Sequence, residues 1–173
     1  MILQLAQSLL PKVTVIATAS DAERERWAAD LGAEHTVNHH GDLAAQVRDI
    51  APGGVDWVFT AHSAGQIELY AQLVRPFGHI VAIDDGPRDV EPLKQRSIAW
   101  HWELMFTRPL FTTPDITGQH DLLTRVSELV DAHRIRPTTT EVLQPITAAT
   151  LERAHAMVRD GHMVGKVVVE GWD

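Results

Sequence analysis

Val13-Thr-Val-Ile-Ala-Thr-Ala-Ser20-Asp21-Ala-Glu-Arg24-Glu-Arg-Trp-Ala-Ala-Asp-Leu31-Gly32-Ala33 is the stretch whose reading decides the fold. Val13, Val15 and Ile16, followed by small residues, are β-branched and nearly free of polar groups, the pattern of a short buried strand. Ser20 and Asp21 are N-cap types, Ala22 to Leu31 is rich in helix formers, and Gly32 stands where a C-cap glycine belongs. A strand that feeds a capped helix is half of a βαβ unit. In a nucleotide-binding sheet the turn after such a strand reads the adenosine ribose, and a plain ribose is read by an acidic residue at the strand's end. Here the strand ends in Thr18-Ala19-Ser20, and Arg24 follows one helical turn later. A hydroxyl and a guanidinium suit a 2′-phosphate better than a free 2′-hydroxyl. The plainer alternative makes Ser20 a helix cap and Arg24 a solvated surface charge. On this stretch alone the plainer one stands ahead, because short motifs match by chance.

The chain has 173 residues, enough for one domain with a substantial core. Lys and Arg number 15 and Asp and Glu 23, a net charge of −8 that speaks against non-specific binding to nucleic acid or to anionic membrane. There is no cysteine, so disulfides and thiolate metal sites are excluded and a cytoplasmic setting is permitted. Met1 to Leu10 is apolar but lacks a basic leader region and is too short to span a bilayer. Ile2, Leu5, Ala6 and Leu9 fall on one helical face, and Pro11 ends the run. A helix that opens a chain with no cap before it reads as a start in the middle of something larger.

The rest alternates strand and helix. His35-Thr36-Val37 is a short strand, and Asp42 caps a short helix to Ile50. Val55 to Ala61 is a buried strand. Ser63 caps a helix whose Ile67, Tyr70, Ala71 and Val74 share a face, and Pro76-Phe77-Gly78 turns the chain. His79 to Ile83 is a further buried strand, ended by Asp84-Asp85-Gly86-Pro87. Short strands alternating with helices imply parallel pairing and an α/β fold. Ser97 to Phe106 is a longer β-rich run that would suit a sheet edge or a subunit contact. Asp115 to Ala132 is a long helix with Leu122, Val126, Leu129 and Val130 as its core stripe. Thr138 to Leu143 is a strand, Thr147 caps a helix closed by Gly161, and Gly165 to Glu170 is a final strand.

Two groups of polar residues could carry chemistry. His101 and Glu103 stand two apart on one face of a strand, where a His beside a carboxylate can transfer protons. The plainer and favoured reading is a polar strip at an edge, anchored by Trp100 and Trp102. The ten histidines repeat no known ligand spacing. His155 and His162 lie near one helical face, but Gly161 ends the helix between them, so they read as surface residues.

The order Thr-Ala-Ser, Arg24, Leu-Gly-Ala, Asn38-His39, then Val55-Asp-Trp-Val-Phe59, Gly78-His-Ile-Val81 and Gly165-Lys-Val-Val-Val169 resembles the medium-chain dehydrogenase/reductase superfamily. More narrowly it resembles zinc-type alcohol dehydrogenase-like proteins close to the NADPH quinone oxidoreductases. Ser97 to Thr113, centred on His-Trp-Glu-Leu-Met-Phe-Thr-Arg, is the most specific part. Leu143 to His155 supports it, and the likeness runs from Met1 to about Trp172. It implies a Rossmann-like α/β fold, a parallel sheet with helices on both faces, and hydride transfer from NADPH to a small quinone, enone or carbonyl substrate.

The resemblance also implies roles. Ser20 and Arg24 match the serine and basic residue that hold the 2′-phosphate, with Thr18 beside them, and with the family in view this outweighs the plainer reading. His39 stands where an aromatic residue often joins them. Ala61, His62, Ile83, Asp84 and Phe106 would lie near the adenine, ribose and nicotinamide. Residues 1–135 would form an incomplete dinucleotide-binding domain, and 136–173 a strand–helix–strand that normally returns to a catalytic domain. The family's zinc ligands belong to that absent domain, so no metal ligand is assigned. Trp100, Trp102 and Phe106 would anchor a homodimer. The alternative function is a non-catalytic remnant that folds or oligomerises without cofactor.

One feature departs from the pattern. No Gly-x-Gly-x-x-Gly occurs, although the turn after the central first strand of a 3-2-1-4-5-6 sheet normally cradles the pyrophosphate with it. The strands Val13 to Ala17 and Val55 to Ala61 would therefore lack a common neighbour. Either they pair directly, or a segment of another copy inserts between them.

Overall fold

The computed structural model describes residues 1–172. In chain order it contains α1 (Ile2–Leu9), β1 (Ile16–Ala19), α2 (Ala22–Asp30), β2 (His35–Asn38), α3 (Leu43–Ile50), β3 (Val55–Thr60), α4 (Ile67–Leu73), β4 (Val74–Ala82), a 3-10 helix (Glu91–Arg96), β5 (Ala99–Trp102), α5 (Thr107–Phe111), α6 (Gly118–Asp131), β6 (Thr139–Leu143), α7 (Ala148–Arg159) and β7 (Lys166–Val169). The strands make three groups, β1–β2, β3–β4–β5 and β6–β7. The β3–β4, β4–β5 and β6–β7 pairs are parallel. Strand, helix, parallel strand is the Rossmann-like α/β pattern. No helix among the described residues is long and apolar enough to cross a membrane.

The residues fall into two compact units, Val37–Arg125 and the remainder. In the Val37–Arg125 unit, Val74, Ile80 and Ala82 of β4 are fully buried, and Leu93 of the 3-10 helix and Ile67, Tyr70 and Leu73 of α4 are buried with them. Asp56 stands alone on β3 where four residues, 75–78, stand on β4, so the strand bulges after Val74. Phe77 takes φ 63 there, and a Cβ on Gly78 would lie 2.4 Å from Val74 Cγ1 and 2.9 Å from Asp56 O. The turn expected at 76–78 is instead a bulge within one strand, which begins at Val74, a residue expected on the helix face, rather than at His79.

In the other unit, Asp21 caps α2, and Gly32 follows it at φ 107. Thr147 and Thr150 form a reciprocal capping box on α7. The expected apolar stripe of α1 is not what α1 buries. Gln4 is its buried residue, donating from Nε2 to Arg136 O (3.0 Å) and accepting from Arg136 N (2.8 Å), whereas Ile2 and Leu9 are exposed. A side chain that satisfies two backbone groups wins the buried position over an aliphatic one.

Other expectations need correction. The first strand runs Ile16–Ala19 rather than Val13 to Ala17, and Val13 is exposed. The β-rich run Ser97 to Phe106 shortens to four residues, because Ser97 is left-handed (φ 51) and Phe106 begins the one-turn helix α5. The stripe of α6 is buried at Leu129 and exposed at Leu122. Among the described residues β1 and β3 belong to different strand groups, so the direct pairing expected of them is not found.

Candidate functional site

The loops that leave the carboxyl ends of parallel strands are where α/β sheets place ligands. Thr18, within β1, is exposed, and Ser20, just after it, is half-buried. Asp21 is the centre of the turn. Its Oδ1 accepts from Glu23 N and Arg24 N, each at 3.0 Å. Its Oδ2 accepts from Ser20 Oγ at 3.0 Å and from the Arg24 guanidinium. Arg24 Nη2 also donates to the His162 carbonyl at 2.6 Å. The backbone N–H of Arg24, against the opposing effect of burial and with help from the Arg24 and Ser20 side chains, lowers the Asp21 pKa to about 2. Ser20 and Arg24 are therefore brought together, around the carboxylate of Asp21, which the sequence marks only as a helix cap.

His39 lies in the loop after β2, exposed, with its ring 4.4 Å from that of His40. Ala61 and His62 follow β3 and are exposed, and His62 N donates to Thr60 Oγ1 at 3.1 Å. Tyr70 OH donates to the same Thr60 oxygen at 2.8 Å, and burial raises the Tyr70 pKa. Ile83 follows β4, is exposed, and donates its N–H to Thr60 O at 3.1 Å. Phe106 is exposed beyond β5.

Asp84 is bound within the protein. Its carboxylate accepts from Ser63 N (2.7 Å), Ser63 Oγ (2.8 Å) and Arg88 Nη2 (2.7 Å), and Arg88 Nε donates to Ser63 Oγ at 2.7 Å. Partial burial would raise the Asp84 pKa, but the hydrogen bonds of Ser63 and Arg88 prevail and hold it at about 2. Ser63, expected to cap the next helix, is fully buried in this cluster. The N-cap of α4 is Gln66, with no side-chain bond. Arg88 escaped the sequence reading, although an Asp and an Arg four apart in a Gly-Pro loop are a visible signal.

His101 finds its partner in His79 rather than in Glu103. The Nδ1 of His79 and the Nε2 of His101 are 3.0 Å apart, and Trp57 stacks on His79 with ring centres at 4.1 Å. The i,i+2 spacing hid this, since a cross-strand neighbour at β4 competes for the same ring. Glu103 lies past the end of β5, where its N–H donates to Ala82 O.

Parallel strands joined by helices, with polar groups on loops that leave the carboxyl ends of strands in each unit, define a Rossmann-like α/β protein. Residues 31–169 match the model of a family described as zinc-binding dehydrogenases. A zinc-type alcohol dehydrogenase-like protein of Staphylococcus epidermidis is 34% identical over 158 residues, 90% of this chain and 47% of the relative. A 2-haloacrylate reductase of Burkholderia is 35% identical over 104 residues, 56% of this chain and 30% of the relative. A crystal structure from Rhizobium etli, described as a zinc-dependent alcohol dehydrogenase, superposes with a TM-score of 0.91 at 43% identity over 99% of this chain and 50% of that one.

The chain belongs to the zinc-binding dehydrogenase family of the medium-chain dehydrogenase/reductase superfamily. It spans about half the length of the curated relatives it matches. The family name implies zinc, and a catalytic zinc takes three protein ligands. There is no cysteine, and among the described residues no three His, Asp or Glu converge, so the residues present do not fit such a site.

Proposed function

We propose that the chain is the cofactor-binding part of an NADPH-dependent oxidoreductase that reduces a small quinone, enone or other carbonyl compound. The cofactor supplies a hydride, and this chain's residues hold the adenosine end. The observation that carries the reading is the convergence of Ser20 Oγ and the Arg24 guanidinium on one anionic oxygen after β1, in a chain of this family. A phosphate oxygen offers both donors the same kind of acceptor.

The test uses 2′-AMP and 5′-AMP, titrated into the 173-residue chain and followed by amide NMR. The 2′-phosphate should bind more tightly and shift the Ser20 and Arg24 signals. Arg24→Ala should weaken it by about 1.5–3 kcal/mol, the loss of a charged hydrogen bond. Equal binding of the two nucleotides, unchanged by the substitution, refutes the reading.

One observation favours the second function, a chain that folds without holding cofactor: no Gly-x-Gly-x-x-Gly occurs in it. Whole NADPH should accordingly bind this chain weakly by calorimetry, without turnover of substrate. Low-micromolar binding would contradict that expectation.

A further inference from the structure

The seat between Ser20 and Arg24 is already filled by a carboxylate of the chain itself. Asp21 Oδ2 takes the Ser20 hydroxyl and the Arg24 guanidinium, and Oδ1 takes the two N–H groups that open α2. Four donors that would suit a bound anion thus face one side chain. We infer that Asp21 is a built-in competitor for the 2′-phosphate, and so a specificity-determining residue that limits the preference for NADPH over NADH. The inference rests on the proposed phosphate-reading role of Ser20 and Arg24.

Two physical effects act together. A 2′-phosphate that takes the Ser20 hydroxyl and the Arg24 Nη1–H must displace Oδ2 from both, since those two donors already serve it. The displaced carboxylate, still tied to the helix N–H groups through Oδ1, stays close to the phosphate, and like charges repel. With its pKa held at about 2, Asp21 carries its charge throughout the neutral range, so the competition is always present. A ribose with a free 2′-hydroxyl meets no such penalty, because a hydroxyl can donate to Oδ2 without displacing it. Arg24 is held from its other side by the His162 carbonyl, which keeps the guanidinium in place while the anion on it is exchanged.

Asp21→Asn separates charge from capping, because Asn caps helices as well as Asp does. Asp21→Ser does the same with a different side chain, so the outcome does not hang on one variant folding. In the 173-residue chain, either substitution should tighten 2′-AMP by ~10-fold, the effect of removing one unit charge from beside a dianion in watery surroundings. Adenosine, which has no phosphate and can donate its 2′-hydroxyl to Oδ2, should gain no affinity from either substitution. If 2′-AMP binds Asp21→Asn and Asp21→Ser no more tightly than the parent, the competitor role is overturned. The phosphate-reading role is judged separately by Arg24→Ala. If that variant weakens 2′-AMP while the Asp21 variants do not strengthen it, only the competitor role falls. If Arg24→Ala has no effect in either background, both fall.

Discussion

Ser63 is where the two loops at the carboxyl ends of β3 and β4 are joined. It is fully buried, gives its N–H and hydroxyl to Asp84, and takes the Arg88 Nε–H. Ser63→Ala leaves Arg88 Nε without its acceptor, and a buried donor without a partner costs about 1–3 kcal/mol. Urea unfolding at neutral pH should show the midpoint falling accordingly. The loss should also depend on pH. Asp84 has a folded pKa of about 2 against an ordinary 3.8, so its contribution is present above the ordinary value and disappears as pH falls toward the folded one. The gap between parent and variant should therefore be largest at neutral pH and narrow near pH 2. A gap that stays constant across that range would show that Asp84 plays no part.

At the scale of elements, the bulge in β4 is the feature most exposed to a single substitution. Gly78→Ala would push a methyl against Val74 Cγ1 at 2.4 Å and the Asp56 carbonyl at 2.9 Å. Overpacking of this kind costs about 1–3 kcal/mol, and thermal unfolding should show it as a lowered Tm. An unchanged Tm would mean that the bulge yields. The same element shows what could be read beforehand. β-Branched runs and caps place β3, α2, α3, α7, β6 and β7 near their true limits, because those signals are local. The strand limits at Val13 and at Ser97 to Phe106 went astray, because Ser97's left-handed backbone and Phe106's role in starting α5 leave no mark in composition. The burial of Gln4 and the role of Ser63 are hidden from the sequence for a different reason. Each is chosen by a distant partner, Arg136 or Asp84, and periodicity knows nothing of distant partners. At the candidate site, Ser20 and Arg24 were legible as a pair, whereas the Arg88 anchor and Asp21's second role emerged only from the folded geometry.

For the whole molecule, we propose a homodimer formed at β5. This strand is an outer one in its group, Trp102 and Phe106 beside it are exposed, and aromatic residues of this kind anchor interfaces. Light scattering at micromolar concentration should report twice the 19.2 kDa chain mass. A monomer at that concentration counts against the proposal, and Trp102→Lys should shift a dimer toward monomer.

The arrangement of the strands also governs how quickly the backbone trades its protons with heavy water. Among the described residues β4 alone has a strand on each side, whereas every other strand has one neighbour. Alternate N–H groups of the one-sided strands point away from any ladder, and such groups open to solvent at little cost. Deuterium should therefore enter β1 and β7 within the earliest time points and reach Ile80 and its neighbours last. The slowest exchange should then be confined to β4, and the strands with a single neighbour in each group should exchange quickly.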